Sequence, residues 1–299
     1  MNSVVDFHQL SISNFEQIDI RFDSEFGVMH SIMKATPRPC YNTTCLNELL
    51  QHQSYIHNTQ GKIVTNGKVE QVNYFVLSSA AEGTFCLGGD LSLFKELILN
   101  RDKKNLVDYG RLCIDNLWLF YSSESPITTI SLVQGQAMGG GLESALSSHV
   151  LMAEKSALMG FPEVLFNLFP GMGALSHLSR KVGMPLAEKM VKSGKIYTGE
   201  ELYQMGIVDV LAEDGMGEYT LNNWIKKNHR SLNSFQAINR AKQRINPLTL
   251  EELYDVVDVW ADAALRLDER NLKVMERLVR AQNAKVTADV ADISERQIA

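Results

Sequence analysis

The stretch from Ile127 to Gly173, ITTISLVQGQAMGGGLESALSSHVLMAEKSALMGFPEVLFNLFPGMG, constrains this chain more than any other. Ile127 to Val133 is an apolar, β-branched run bounded by Pro126 and Gly135, the pattern of a buried strand that delivers the chain into a tight turn. That turn is Gly139-Gly140-Gly141. Three residues without a Cβ let a ligand approach the backbone, and if Leu142 to Ser147 is helical, the glycine amides lie at its open N-terminus. Glu143 stands two positions past the glycines; Glu163 follows 20 positions later in Phe161-Pro162-Glu163, where the proline fixes the backbone. Amides able to hold an oxyanion, a carboxylate beside them and a second carboxylate on a rigid turn are the parts that enolate chemistry needs. The same residues also fit an ordinary loop followed by a first-turn glutamate that complements the helix dipole.

The rest of the chain narrows the classes. Its 299 residues can bury a large core, and 29 Lys plus Arg against 35 Asp plus Glu give a formal charge of −6, which argues against a nucleic-acid binder. MNSVVDFHQL carries neither a basic n-region nor a long apolar h-region, and no apolar run approaches a membrane span, so neither a secretion signal nor membrane insertion is expected. Cys40, Cys45, Cys86 and Cys113 do not form a disulfide framework and read as reduced thiols of a cytoplasmic protein; no metal or cofactor is expected.

Taken in order, residues 1–14 are a loose lead-in, Phe15 to Met33 reads as a β-hairpin, and Asn42 or Thr43 caps a helix running to about His57 with Leu46, Leu49 and Leu50 inward. A turn is expected at Gly61 to Asn66, then a buried strand over Val72 to Ser78. It leads to Phe85-Cys86-Leu87-Gly88-Gly89-Asp90, a second glycine-rich junction whose Asp90 fits the cap of a helix over Leu91 to Leu99. Leu106, Tyr109, Cys113, Leu117 and Phe120 mark the core stripe of a further helix from Lys103 to Ser122. Gly171 to Val182 and Pro185 to Ser193 read as two short helices, Tyr197 to Met205 as a third with the capping box Thr198–Glu201, and Ile207 to Leu211 as an edge strand. Helices are expected over 219–228, 234–244 and, continuously, Thr249 to Lys285. The pattern is an α/β core over residues 15–230 with a helical C-terminal region, 231–299, suited to packing and oligomerisation. His149 and His177, the histidines near the central stretch, read as packed rather than catalytic, and there is no nucleophile elbow or phosphate loop.

Four motifs in this order, Phe85 to Asp90, Val133-Gln134-Gly135 into Gly139-Gly140-Gly141-Leu142-Glu143, Pro162-Glu163 and Pro170-Gly171-Met172-Gly173, resemble those of the crotonase, or enoyl-CoA hydratase/isomerase, superfamily over roughly residues 15–285. The resemblance implies a crotonase-like ββα spiral core, an oxyanion hole from the amides of Gly89 (with Gly88 adjacent) and Gly140, catalytic roles for Glu143 and Glu163, and assembly as a homo-oligomer, with trimers usual. Finer features, among them Pro37-Arg38-Pro39-Cys40, the run Gly160 to Gly173 and Arg277-Leu278-Val279-Arg280-Ala281-Gln282, look like the bacterial diffusible signal factor synthases. That branch makes cis-2-unsaturated fatty acids for quorum sensing from 3-hydroxyacyl groups on acyl carrier protein, by dehydration and then thioester hydrolysis. Ala174-Leu175-Ser176 stands where the commoner hydratases carry a second glycine and a Thr-Gln-Arg run.

For such a substrate Leu142, Met172 and Trp260 are candidates to line an acyl tunnel, and Lys103-Lys104 and Arg180-Lys181 are candidate patches for acidic carrier protein. The resemblance leaves two other readings, a CoA-dependent hydratase or thioesterase and a regulatory binding protein for a signalling partner such as a sensor kinase or PAS-type receptor.

Overall fold

A computed structural model of the protein describes residues 15–278 and residue 280. The lead-in at 1–14, Val279, Ala281 and Gln282 of the C-terminal motif, and the expected helix end at Lys285 lie outside these residues. The chain opens on the expected hairpin, β1 (Ile18–Asp23) against β2 (Val28–Met33), with Ile18 opposite Met33. Asn42 caps α1 (Thr43–Asn58) by accepting from the Cys45 amide, and the helix buries Leu46 and Leu49. Where the sequence reading places only a turn, β3 (Lys62–Thr65) and β4 (Lys68–Gln71) form a small hairpin. Asn66 and Gly67 take φ of 51° and 73°, the paired left-handed residues of a tight hairpin turn, so the Asn-Gly pair was its signal.

Two sheets follow from a repeated unit. β5 (Tyr74–Ser79) is followed by β6 (Thr84–Cys86), α2 (Leu91–Leu99) and α3 (Lys103–Tyr121); β7 (Thr128–Val133) by β8 (Gln136–Met138) and α4 (Gly140–Leu146); β9 (Val150–Glu154) by β10 (Leu158–Gly160) and a 3-10 turn (Pro162–Phe166), α5 (Ala174–Val182) and α6 (Met184–Ser193). Each turn lays its first strand in a large sheet and its second in a small one before a helix returns the chain, which is the ββα spiral. β11 (Ile196–Thr198) completes the small sheet, ordered β6-β8-β10-β11. After α7 (Gly199–Gln204), β12 (Val210–Ala212) closes the edge of the large sheet, ordered β1-β2-β5-β7-β9-β12 and parallel from β2 onward.

The short strands correct the sequence reading at the centre. β7 does not run directly into the triple glycine; Gly135 turns the chain first, and β8 lies between. Likewise Tyr197 belongs to β11, and the helix capped by Thr198 and Glu201 begins only at Gly199.

α8 (Gly217–Asn228) covers one face of the large sheet, where Leu221 and Ile225 pack on Val76, Ile130, Leu132, Val150 and Met152. α9 (Leu232–Ile245) and α10 (Leu250–Ala264) follow, and α10 places Leu253, Val257 and Trp260 in the main core with α1, α3 and α4. The continuous helix expected from Thr249 is interrupted after Ala264: Asp268 and Asn271 cap a new helix reciprocally, each side chain accepting from the other's amide, at 2.8 and 3.1 Å. No helix among the described residues is long and apolar enough to cross a membrane.

Candidate functional site

The two glycine-rich junctions lie side by side because the strands before them, β6 and β8, are parallel neighbours. Gly88 takes a φ of 92°, and a Cβ there would come within 2.8 Å of the Met138 carbonyl oxygen and 3.2 Å of the Gly140 nitrogen. A Cβ on Gly140 would in turn lie 3.4 Å from the Gly89 nitrogen, so the two turns approach as closely as backbone allows. The Gly88 amide donates to Cys86 Sγ at 3.4 Å. The amides of Gly89 and Gly140 donate no such bond among the described residues, and Gly140, at the first position of α4, has no intrahelical acceptor. Asp90 caps α2 through the Ser92 and Leu93 amides and pairs with Arg38 at 2.9 Å, which gives Pro37-Arg38-Pro39 its place beside the junction.

Glu143, in the first turn of α4, is buried at 1% exposure, not solvated. Its Oε1 accepts from the amides of Met172 at 2.8 Å and Ala174 at 3.0 Å. Gly173 aims both amides by adopting a φ of 103°, and a Cβ on Gly171 would strike the Trp260 ring at 2.3 Å, so each glycine of the Pro170-Gly171-Met172-Gly173 motif has a physical reason. Glu163 sits in the 3-10 turn that Pro162 starts and Asn167 ends with a left-handed φ of 61°. Its Oε2 is buried without a hydrogen-bond partner among the described residues, and its Oε1 lies so near Gly139 that a Cβ there would be 2.2 Å away.

Burial pushes the Glu143 carboxyl up from 4.5 to about 7, against the lowering effect of its two amide donors. Burial raises Glu163 from 4.5 to about 8, and the charge on Glu143 adds to the rise. The two carboxyls are therefore a coupled pair that carries a proton near neutral pH.

Both glutamates and Gly88, Gly89, Gly139 and Gly140 line a cavity of about 330 Å³ that continues into apolar surroundings formed by Leu46, Leu49, Phe94, Leu117 and Phe120. Met172 and Trp260 line it, Trp260 holding Phe94 edge to face at 5.1 Å. Leu142 does not: it is fully buried in the main core and absent from the cavity wall, because α4 turns it away from Glu143. Tyr41, Tyr109 and Asn116, which the sequence reading did not connect with the site, also line it. Tyr109 belongs to the helical stripe read as core, and Asn116 stands next to its Leu117; that the stripe also walls a cavity has no signal in the spacing.

The four cysteines are free and buried, and buried His177 and half-buried His149 are held neutral, each pushed down to about 4 by loss of water around the ring. No cluster suited to a metal occurs among the described residues. In the candidate basic patches Lys103 pairs with Asp262, Lys104 with Asp108, Arg180 with Glu252 and Lys181 with Asp209.

Comparison with known proteins identifies the family and the fold. The family profile for enoyl-CoA hydratase/isomerase matches residues 62–257. Methylglutaconyl-CoA hydratase 1 of Pyricularia oryzae is 31% identical over 155 residues, covering 51% of this chain and 42% of that protein. A probable enoyl-CoA hydratase of Bacillus subtilis is 32% identical over 130 residues, 44% of this chain and 48% of the other. The chain thus spans about half the length of such curated relatives. Among solved structures, Pseudomonas aeruginosa DspI shares the fold at 20% identity with a TM-score of 0.66, over 82% of this chain and 85% of that one. A putative enoyl-CoA hydratase from Streptomyces avermitilis does so at 19% identity and a TM-score of 0.68, over 90% and 91%. The chain belongs to the enoyl-CoA hydratase/isomerase, or crotonase, family.

Proposed function

We propose that the protein is an acyl-thioester dehydratase and thioesterase that releases a cis-2-unsaturated fatty acid from a 3-hydroxyacyl group carried on acyl carrier protein. The observation that carries the reading is the pair of buried Glu143 and half-buried Glu163, whose Oε2 is enclosed, lining one cavity with Gly89 and Gly140. With the thioester carbonyl on those two amides, one carboxylate takes the proton from the carbon next to the carbonyl and the enolate oxygen is held by the N–H groups. The other carboxyl, still protonated, gives its proton to the C3 hydroxyl as that C–O bond breaks, so water leaves and the double bond forms. A second water, losing a proton to the carboxylate pair, then adds to the thioester carbonyl; the C–S bond breaks, and the carrier thiol departs with a proton. The apolar continuation of the cavity suits an acyl chain, and the motifs shared with diffusible signal factor synthases support this branch. Like other members of its superfamily it would act as a homo-oligomer.

Incubation with a medium-chain 3-hydroxyacyl carrier-protein thioester and mass spectrometry of the products tests the reading. Free cis-2-unsaturated acid from the wild type, and none from Glu143→Gln or Glu163→Gln, is the expected result; recovery of intact thioester from the wild type sinks it. The curated relatives, titled as CoA hydratases, favour a second reading, a CoA-dependent hydratase. Faster turnover of the CoA thioester than of the carrier-protein thioester, without release of free acid, would select it.

A further inference from the structure

The cavity wall that is not occupied by the glutamates contains two side-chain amide oxygens with no hydrogen-bond partner among the described residues. Asn116, on α3, is 5% exposed, and Gln53, on α1, is 6% exposed; both line the cavity. Asn116 Nδ2 donates to the carbonyls of Leu46 at 3.1 Å and Leu112 at 2.8 Å. Those two bonds fix the amide's orientation, because the opposite flip would set its oxygen against two carbonyl oxygens. Asn116 Oδ1 is thereby an acceptor by necessity, and it has no hydrogen-bond partner; neither has Gln53 Oε1. Leaving an acceptor buried and unmatched costs free energy that a ligand donor would recover.

Their position along the cavity follows from α3, which supplies Tyr109, Cys113, Asn116, Leu117 and Phe120 to its wall. Tyr109 marks the glycine-junction end, since its hydroxyl accepts from the Asp90 amide at 3.3 Å, next to Gly89. At ~1.5 Å of rise per residue, Asn116 lies about 10 Å farther along the helix axis. Gln53 and Phe120 also border a small adjoining pocket whose lining includes neither glutamate and none of the glycines. The two amides therefore lie past the glycine junctions, among Leu49, Leu117 and Phe120, and Asn116 is about 5 Å along the axis beyond Cys113, which feels the Glu143 charge.

We propose that Asn116 and Gln53 form a polar subsite for the distal part of the acyl chain, selecting chains whose tail carries a hydrogen-bond donor, a hydroxyl group, over unsubstituted ones. The proposal rests on the reading of the cavity as an acyl site and adds the class of acyl chain it prefers. A hydroxyl donates to Asn116 Oδ1, and the Gln53 amide, which no hydrogen bond orients, can turn either its oxygen or its nitrogen to the same group. A plain alkyl tail would leave the acceptors unmatched, and sites built around a hydroxyl discriminate against analogues that lack it.

The test is direct binding, by calorimetry, of two free acids to the full-length protein: a saturated medium-chain fatty acid and its counterpart with one hydroxyl in the distal half. The hydroxylated acid is expected to bind the wild type about five- to tenfold more tightly. Asn116→Leu and Gln53→Leu should each shrink or reverse that preference by improving the binding of the plain acid. Gln53→Leu removes no hydrogen bond that the protein makes with itself, so it keeps the test sound should Asn116→Leu fold poorly. Equal or tighter binding of the plain acid by the wild type, or a preference unchanged in the folded variants, overturns the subsite. Binding of neither acid overturns it together with the acyl assignment of the cavity. A preference that persists where no thioester is turned over overturns the dehydration and hydrolysis scheme and leaves the subsite standing.

Discussion

Glu143 and Glu163 ionise against their surroundings, and both pH dependence and stability follow from that. In the proposed reaction one must be charged while the other holds a proton, so kcat/KM should be bell-shaped, falling below about 7 and above about 8 as the pair gains or loses its proton. A rate flat from about pH 5 to 9 would remove the pair from the mechanism. Replacing either carboxyl by glutamine should cost on the order of 10² to 10⁴ in kcat. The same substitutions should stabilise the fold. Each carboxyl's folded value lies above its ordinary 4.5, so its contribution to stability is lost as pH rises from there through about 7 or 8. Glu143→Gln and Glu163→Gln should therefore melt higher than wild type at about pH 8 and equally at about pH 4, and a difference independent of pH would contradict the burial argument. Gly139 is constrained from the other side: with a φ of 53° and Glu163 Oε1 2.2 Å from where a Cβ would stand, Gly139→Ala must displace the carboxylate. It should lose most activity while retaining a native circular dichroism spectrum.

Elements set the site by what they bring to its edge. α2 is held at its N-terminus by Asp90, which caps two amides and pairs with Arg38 while Gly89 precedes it. Asp90→Ala should lower stability by ~1–2 kcal/mol in urea unfolding, as loss of a cap does, and disturb the neighbouring amide. α10 contributes Trp260, 2% exposed, which lies on Gly171 and against Phe94. Trp260→Ala should cost ~3–5 kcal/mol and widen the cavity, weakening binding of medium-chain acids; unchanged affinity would mean that the acyl chain does not reach α10. α3 and α1 wall the remainder, so a helix pair whose apolar stripes account for core packing also shapes the ligand space.

At the scale of the molecule, the main core runs without interruption from the spiral into α10, so Leu253 and Val257 share one packed interior with Leu106 and Ile114. Cys45, Cys86 and Cys113 lie within that interior and Cys40 is buried outside it, and burial raises each thiol above the ordinary range. Native protein should consequently react with a thiol reagent at neutral pH only as fast as it opens, and all four cysteines should label promptly in denaturant. Rapid labelling of a native cysteine would show that the core near the glycine junctions opens locally. Among the charged groups, Lys103, Lys104, Arg180 and Lys181 each meet an acidic partner within the chain, so an acidic carrier docking there would have to compete with those pairs.

The sequence by itself determined the pieces that depend on neighbours along the chain. The hairpin of β1 and β2, the Asn42 and Asp90 caps, the capping box of Thr198 and Glu201, and α2 and α3 follow from periodicity and cap chemistry acting over a few residues. The pair of glutamates and the glycine junctions were legible because motifs mark backbone requirements, close approach and positive φ, that only certain residues meet. The strands of the small sheet were not legible: three residues are too few to display an alternation, and they exist because β8 finds β6 and β10 beside it. Nor could spacing separate Leu142, which the core takes, from Met172, which the cavity takes, since both are apolar and the distinction depends on what faces them. The protonation of the glutamates was equally a tertiary matter. A first-turn glutamate is ordinarily exposed and charged; only the packing of α5 and the Pro162 turn over α4 removes water and raises the pair toward neutrality.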